Sequence, residues 1–207
     1  MPAPMTRRRF MAQAAALNAA LLVDARVSAA PARSAFPSSR FERVVADARL
    51  TESVAFAATM TGSGIPISIV DGDPTSLWFD ELARHFSGGG APVAGLTTAR
   101  TALVMIELAR GPGVRLLWHA EHRALPTGAS QHRLHGSADL IARAETLAQA
   151  DYWHLGIASL LARSEAQDRP ALQASTVVHL PRSAGSIEQT LSSWVVAPRR
   201  PTRAGVA

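Results

Sequence analysis

The chain has 207 residues, a formal charge of +5, no cysteine, and arginine at all 21 of its basic Lys/Arg positions. Without cysteine there is no disulfide, thiolate zinc site, cysteine-ligated iron–sulfur cluster, covalent c-type haem or cysteine nucleophile. Without lysine there is no P-loop and no PLP Schiff base, and no G-x-S-x-G, H-E-x-x-H or G-x-G-x-x-G segment occurs.

The chain starts with a charged stretch, Met5-Thr6-Arg7-Arg8-Arg9-Phe10-Met11. An Ala-rich apolar stretch from Ala12 to Val23 follows, then small residues around Ser28-Ala29-Ala30 and Ala30-Pro31-Ala32. A hydroxyl residue before two arginines, then any residue, Phe and an apolar residue, resembles the bacterial twin-arginine export signal. The three-part order of charge, apolar run and small-residue end fits a cleaved export segment. The resemblance covers the signal only. It implies a protein handed to the export machinery already folded, with Arg7, Arg8 and Phe10 as the signal residues and a periplasmic or secreted destination. The apolar run is shorter than the ~20 residues that span a bilayer, so no permanent membrane span is expected. Residues 1–32 carry four arginines against Asp24, a net +3 that leaves +2 for the remainder. Arg199, Arg200 and Arg203 fall in a Pro-containing tail, 199–207. The basic character therefore sits at the two ends, and no nucleic-acid partner is expected.

Residues 33–40 read as a linker, and 41–198 as one α/β domain. Phe41–Ala46 is a short strand. Thr51 caps a helix through Phe56 to Met60. Ile65–Val70 is β-branched and apolar without alternation, as in a strand buried on both faces. Asp73-Pro74 opens a helix through Leu77, Trp78, Leu82 and Phe86 that Gly88-Gly89-Gly90 ends. Ala91–Leu96 is another buried strand. Thr97 or Thr98 then caps a helix carrying Leu103, Val104, Ile106 and Leu108, and Val114–Ala120 is a third strand. Beyond it, 138–150 and 152–163 read as helices, 173–180 and 193–197 as strands, with a helical turn near Ile187–Leu191. Alternating strands and helices with short turns predict a largely parallel sheet flanked by helices, with 65–70, 91–96 and 114–120 as parallel neighbours and an antiparallel hairpin toward one edge.

Parallel sheets bind ligands beyond the carboxyl ends of their strands. Here those ends are Asp71-Gly72-Asp73 and Gly95-Leu96-Thr97-Thr98. Asp71 is the candidate general base or cation ligand. Gly95, Thr97 and Thr98 are the candidate ligand-binding turn, with hydroxyls and N–H groups at a helix start for an anion. Asp73 is accounted for as a helix cap.

Four of the seven histidines lie between His119 and His135. Pairing the two runs about Pro126-Thr127-Gly128, with partner numbers summing to 254, sets His122 against His132 and His119 against His135. One face becomes Val114, Leu116, Trp118, Ala120 and Leu134. The other becomes Arg115, His119, Glu121, Arg133 and His135. A one-residue slip would mix the two sets. His119, Glu121 and His135 are the candidate metal ligands, of a kind suited to zinc, iron or copper, with Arg133 competing for Glu121.

Two functions follow as expectations. The first is an exported α/β binding or accessory protein, serving a periplasmic enzyme partner, as in a redox system. The alternative is a small exported enzyme, hydrolase-like at Asp71 and the Gly95–Thr98 turn, or metal-dependent at the histidine hairpin. A solute-binding protein is a third reading, for which the chain is short.

Overall fold

The computed structural model describes residues 41–62, 64–110, 113–127, 129–164, 173–180 and 189–198. The twin-arginine segment, the linker and the tail lie outside these residues. In chain order the elements are β1 (Arg43–Asp47), α1 (Thr51–Thr61), β2 (Ile67–Val70), α2, β3 (Val93–Thr98), α3 (Ala99–Arg110), β4 (Val114–Ala124), β5 (Ser130–Ser137), α4 (Ala138–Ala148), α5 (Trp153–Arg163), β6 (Gln173–Leu180) and β7 (Leu191–Pro198). Helix α2 joins Thr75–Leu77, a π-helical turn Trp78–Leu82 and Ala83–Ser87. One sheet of seven strands, ordered β2-β1-β3-β7-β4-β5-β6, is flanked by these five helices.

The α/β class and the single helix-flanked sheet are as the sequence indicates, but parallel pairing is confined to β1 with β2 and β1 with β3. The other four pairings are antiparallel. The three strands expected side by side are not neighbours. β2 sits at the edge beside β1, and its residues are only half-buried before Val70. β3 and β4 do run in the same direction, as a strand–helix–strand crossover requires, but β7 lies between them and is antiparallel to both. A crossover fixes direction, not the number of strands it passes over.

The order β2-β1-β3 also explains the layers. Right-handed crossovers that leave β1 one way and return past it the other way must use opposite faces of the sheet. Accordingly α1 packs on a first face together with α4 and α5, through Val54, Phe56, Met60, Ile141, Ala144, Ile157 and Leu161. Helices α2 and α3 pack on the second face through Trp78, Leu82, Phe86, Ala102, Met105 and Ala109. Helix α1 is buried nearly all round because it lies between the sheet and α5. In α3 the buried stripe is Thr101, Ala102, Met105, Ile106 and Ala109, while Leu103 and Val104 face outward, contrary to the apolar face read from the sequence.

β4 carries a bulge against β7: Leu116 pairs with Val196 and Trp118 with Val195, leaving Leu117 as the extra residue. An inserted residue reverses the side-chain parity. Val114 and Leu116 therefore join the second-face core, and Trp118 and Ala120 the first-face core. The sequence reading had placed all four on one face.

The centre of the sheet is crowded. Gly95 faces Trp194 across the β3–β7 ladder, and a Cβ at Gly95 would fall inside contact distance of the buried indole. Trp194 Nε1 donates to Thr97 Oγ1 at 3.2 Å. We expect Gly95→Ala to destabilise the fold by about 1–3 kcal/mol, as overpacking does, read from the urea midpoint followed by tryptophan fluorescence. An unchanged midpoint would mean that the indole can move aside.

Candidate functional site

Turns at the carboxyl ends of the three parallel strands meet in one cleft of about 400 Å³. From the β1 end comes Arg49. The β2–α2 loop contributes Asp71, Gly72, Asp73, Pro74 and Thr75. The first turn of α3 contributes Thr98, Arg100, Thr101 and Val104. This is the switch point of the strand order, where the connections after β1 and β3 depart to opposite faces and leave a crevice.

The cleft floor is held by charge and hydroxyl bonding. Asp47, at the end of β1, is fully buried. Its Oδ1 accepts from Arg49 Nε at 2.9 Å and from Arg49 N at 3.1 Å, and its Oδ2 accepts from Arg49 NH2 at 2.8 Å. That hydrogen bonding holds the Arg49 proton more firmly than usual. Asp71 Oδ1 lies 3.4 Å from Arg49 Nε, and its side chain is 79% exposed. Gly72 has φ +81°, and the Arg49 guanidinium occupies the space a Cβ would need there. Ser53 Oγ accepts from Asp47 N at 2.8 Å and donates to Leu96 O, tying the β1 and β3 ends together. Across the cleft, Thr98 Oγ1 accepts from Thr101 N at 3.1 Å, and the two threonine hydroxyls are 2.9 Å apart. Thr101 Oγ1 donates to Gly72 O at 2.8 Å, which fixes the β2–α2 loop to α3. Asp73 Oδ1 accepts from Thr75 N at 2.9 Å, and hydrogen bonding to Thr75 holds its carboxyl below the usual range.

The structure thus brings Asp71 and Thr98 into one cleft but leaves Gly95 and Thr97 out of it. Gly95 makes room for Trp194, and the buried Thr97 hydroxyl is bonded to the indole and to Thr98 O. Arg49, Arg100 and Thr101 were missed. The one sequence signal for Arg49 was its spacing, two residues beyond an aspartate that ends a strand. Arg100 and Thr101 sit two and three residues after the threonine expected to cap α3.

The hairpin register is the one read from the sequence: His119 pairs with His135, Ala120 with Leu134, Glu121 with Arg133, and His122 with His132. His119 and His135 stack with ring centroids 6.0 Å apart, and Glu121 lies 3.7 Å from Arg133. Among the described residues no three His, Asp or Glu side chains are grouped to hold a metal ion, so His119, Glu121 and His135 do not form a ligand set. Sharing a β face spaces side chains along and across strands without making them converge. Burial lowers the His119 pKa, Glu121 opposes that shift and His135 adds to it.

The other two hairpin histidines are buried. His122 Nδ1 and His132 Nδ1 are 2.7 Å apart, His122 Nε2 is 3.0 Å from Ser193 Oγ, and Trp118 Nε1 donates to that oxygen at 2.9 Å. The Trp153 ring stacks on His122 at 3.9 Å. An indole only donates, so Trp118 gives its N–H to Ser193 Oγ, while the directions of the Ser193–His122 and His122–His132 links follow the imidazole tautomers. His132 Nε2 is a buried atom without a hydrogen-bond partner. The order of hydroxyl, imidazole and orienting group is that of a nucleophile and base, but Ser193, His122 and His132 are all fully buried, so this is a packing network. No protein-family model matches the chain, and no curated protein or solved structure shows significant similarity to it.

Burial holds His132 and His154 at about 4, and His122 well below its ordinary value. Above pH 6.5 these rings are neutral whether the chain is folded or not. As pH falls from 6.5 to about 4, the unfolded chain takes up protons that the folded chain refuses, so stability falls across that window. Below about 4, His132 and His154 cause no further loss. The loss is on the order of 3 kcal/mol for each of the two. Urea midpoints at pH 7 and pH 4.5 test this: His154→Gln should show a smaller drop than the unaltered protein. Equal drops would remove His154 as a cause.

Proposed function

We propose that this chain is an exported α/β binding protein, carried out folded by its twin-arginine segment, that holds a small polar ligand in the cleft beyond β1, β2 and β3. The observation that carries the reading is the convergence of Arg49, the Asp71–Thr75 loop and the Thr98–Thr101 turn, three separate segments, on one cleft at the strand switch point. Binding accounts for the lining better than catalysis does. Asp71 is solvated beside Arg49, and the Thr98 and Thr101 hydroxyls are occupied with each other and with Gly72 O. No nucleophile–base pair faces the cleft among the described residues. Folded export suits a domain that leaves the cytoplasm with its ligand or partner aboard, which favours an accessory role beside a periplasmic enzyme such as a redox system.

Two measurements test the two halves of this reading. Changing Arg7 and Arg8 together to Lys is expected to abolish accumulation in the periplasm, because an ammonium does not replace a guanidinium in a specific recognition site. Undiminished periplasmic protein would overturn export through that signal. Native mass spectra of protein isolated from its own host are expected to show a small-molecule mass excess. The excess should be absent in Val104→Trp, a substitution at a half-exposed helix position that fills the cleft and spares the core. A bare protein in both preparations would overturn the binding reading.

A further inference from the structure

The charges lining the cleft select the kind of ligand it takes, given that the cleft is the ligand site. Two arginines and two aspartates line it, and they are not equivalent. Arg49 is committed: the fully buried Asp47 takes its guanidinium at both carboxylate oxygens. A buried carboxylate deprived of its cation would be left as an uncompensated charge, so this pair is already cancelled before a ligand arrives. Arg100, exposed in the first turn of α3, has no ion-pair partner among the described residues. On the opposite wall, Asp71 is largely solvated, with only the already committed Arg49 beside it. Asp73 is exposed and accepts one backbone N–H, from Thr75.

What remains is a cleft with a positive α3 wall and a negative β2–α2 wall. Counting buried Asp47, the three carboxylates exceed the two guanidinium groups by one. A phosphate would gain Arg100 but would share the cleft with Asp71 and Asp73, and like charges brought together are costly. A simple amine would leave Arg100 unmatched. We propose that the cleft takes a small zwitterion of the α-amino-acid type, its carboxylate on Arg100 and its ammonium on the Asp71–Asp73 loop. Arg and carboxylate match geometrically through two parallel hydrogen bonds, and Val104, on the same helix face as Arg100, offers apolar contact to the ligand's side chain.

The test is calorimetric titration of the purified, ligand-stripped protein with the common amino acids one at a time, beside inorganic phosphate. Each amino acid that binds is then compared with its decarboxylated amine and its N-acetyl derivative. At least one amino acid should bind, and both derivatives should bind about ten-fold more weakly or worse, the loss expected when one charge-assisted contact goes. Arg100→Gln should weaken the amino acid by a similar factor and leave the amine unchanged. Asp71→Asn should weaken the amino acid and leave the N-acetyl derivative unchanged. Binding of phosphate, or of the N-acetyl derivative as tightly as the free amino acid, would overturn the zwitterion assignment. So would failure of every amino acid to bind. If all amino acids fail while the native mass excess persists and Val104→Trp abolishes it, the ligand class is wrong and the cleft reading stands. If the mass excess is also absent, both fall.

Discussion

The sheet depends on its last strand reaching its centre. β7 pairs with β3 on one side and β4 on the other, and among the described residues no other strand joins the parallel half of the sheet to the hairpin half. Its side chains serve both layers. Trp194 enters the second-face core through the space left by Gly95, while Leu191 and Val195 enter the first-face core. A strand about a hundred residues downstream of its β3 partner must arrive before the two halves share a continuous sheet, which makes the fold one of high contact order and slow closure. Pairing of β7 is therefore a condition for the tertiary structure.

The same strand places polar groups in the interior. Ser193 lies between Trp118 and His122, and the chain of bonds ends at His132 under the Trp153 ring. Such a network specifies a unique packing when it is satisfied and is costly where it is not. Here its far end is unsatisfied at His132 Nε2, and His154 Nδ1 nearby on α5 is also buried without a partner. The protein thus carries neutral imidazoles in its core, and its cohesion depends on their staying neutral.

At the other end of the sheet, the crossover rule shapes the cleft. Because β1 has β2 on one side and β3 on the other, the helices that follow leave to opposite faces, and the strand ends between them are not roofed over. The walls are then held by one local pair, Asp47 with Arg49, and by hydrogen bonds between segments distant in the chain, Ser53 with Leu96 O and Thr101 with Gly72 O.

The sequence by itself determined the pieces governed by local rules. Side-chain alternation and the Pro126–Gly128 loop specified the hairpin, because a one-residue slip would have exchanged every polar and apolar position. Thr98 and Asp73 accept backbone N–H groups at the helix starts they were read to cap, whereas Thr51 falls inside α1, whose N-cap is Leu50 without a side-chain bond; the carboxyl-end rule brought Asp71 and Thr98 forward. Only the tertiary structure decided how the pieces were shared. Whether β7 stood between β3 and β4, whether Leu117 bulged and reversed the parity of β4, and whether a threonine lined the cleft or bonded an indole all depended on partners far away in the chain. Backbone pairing across long separations is set by which cores can close together, and no local pattern of residues carries that information.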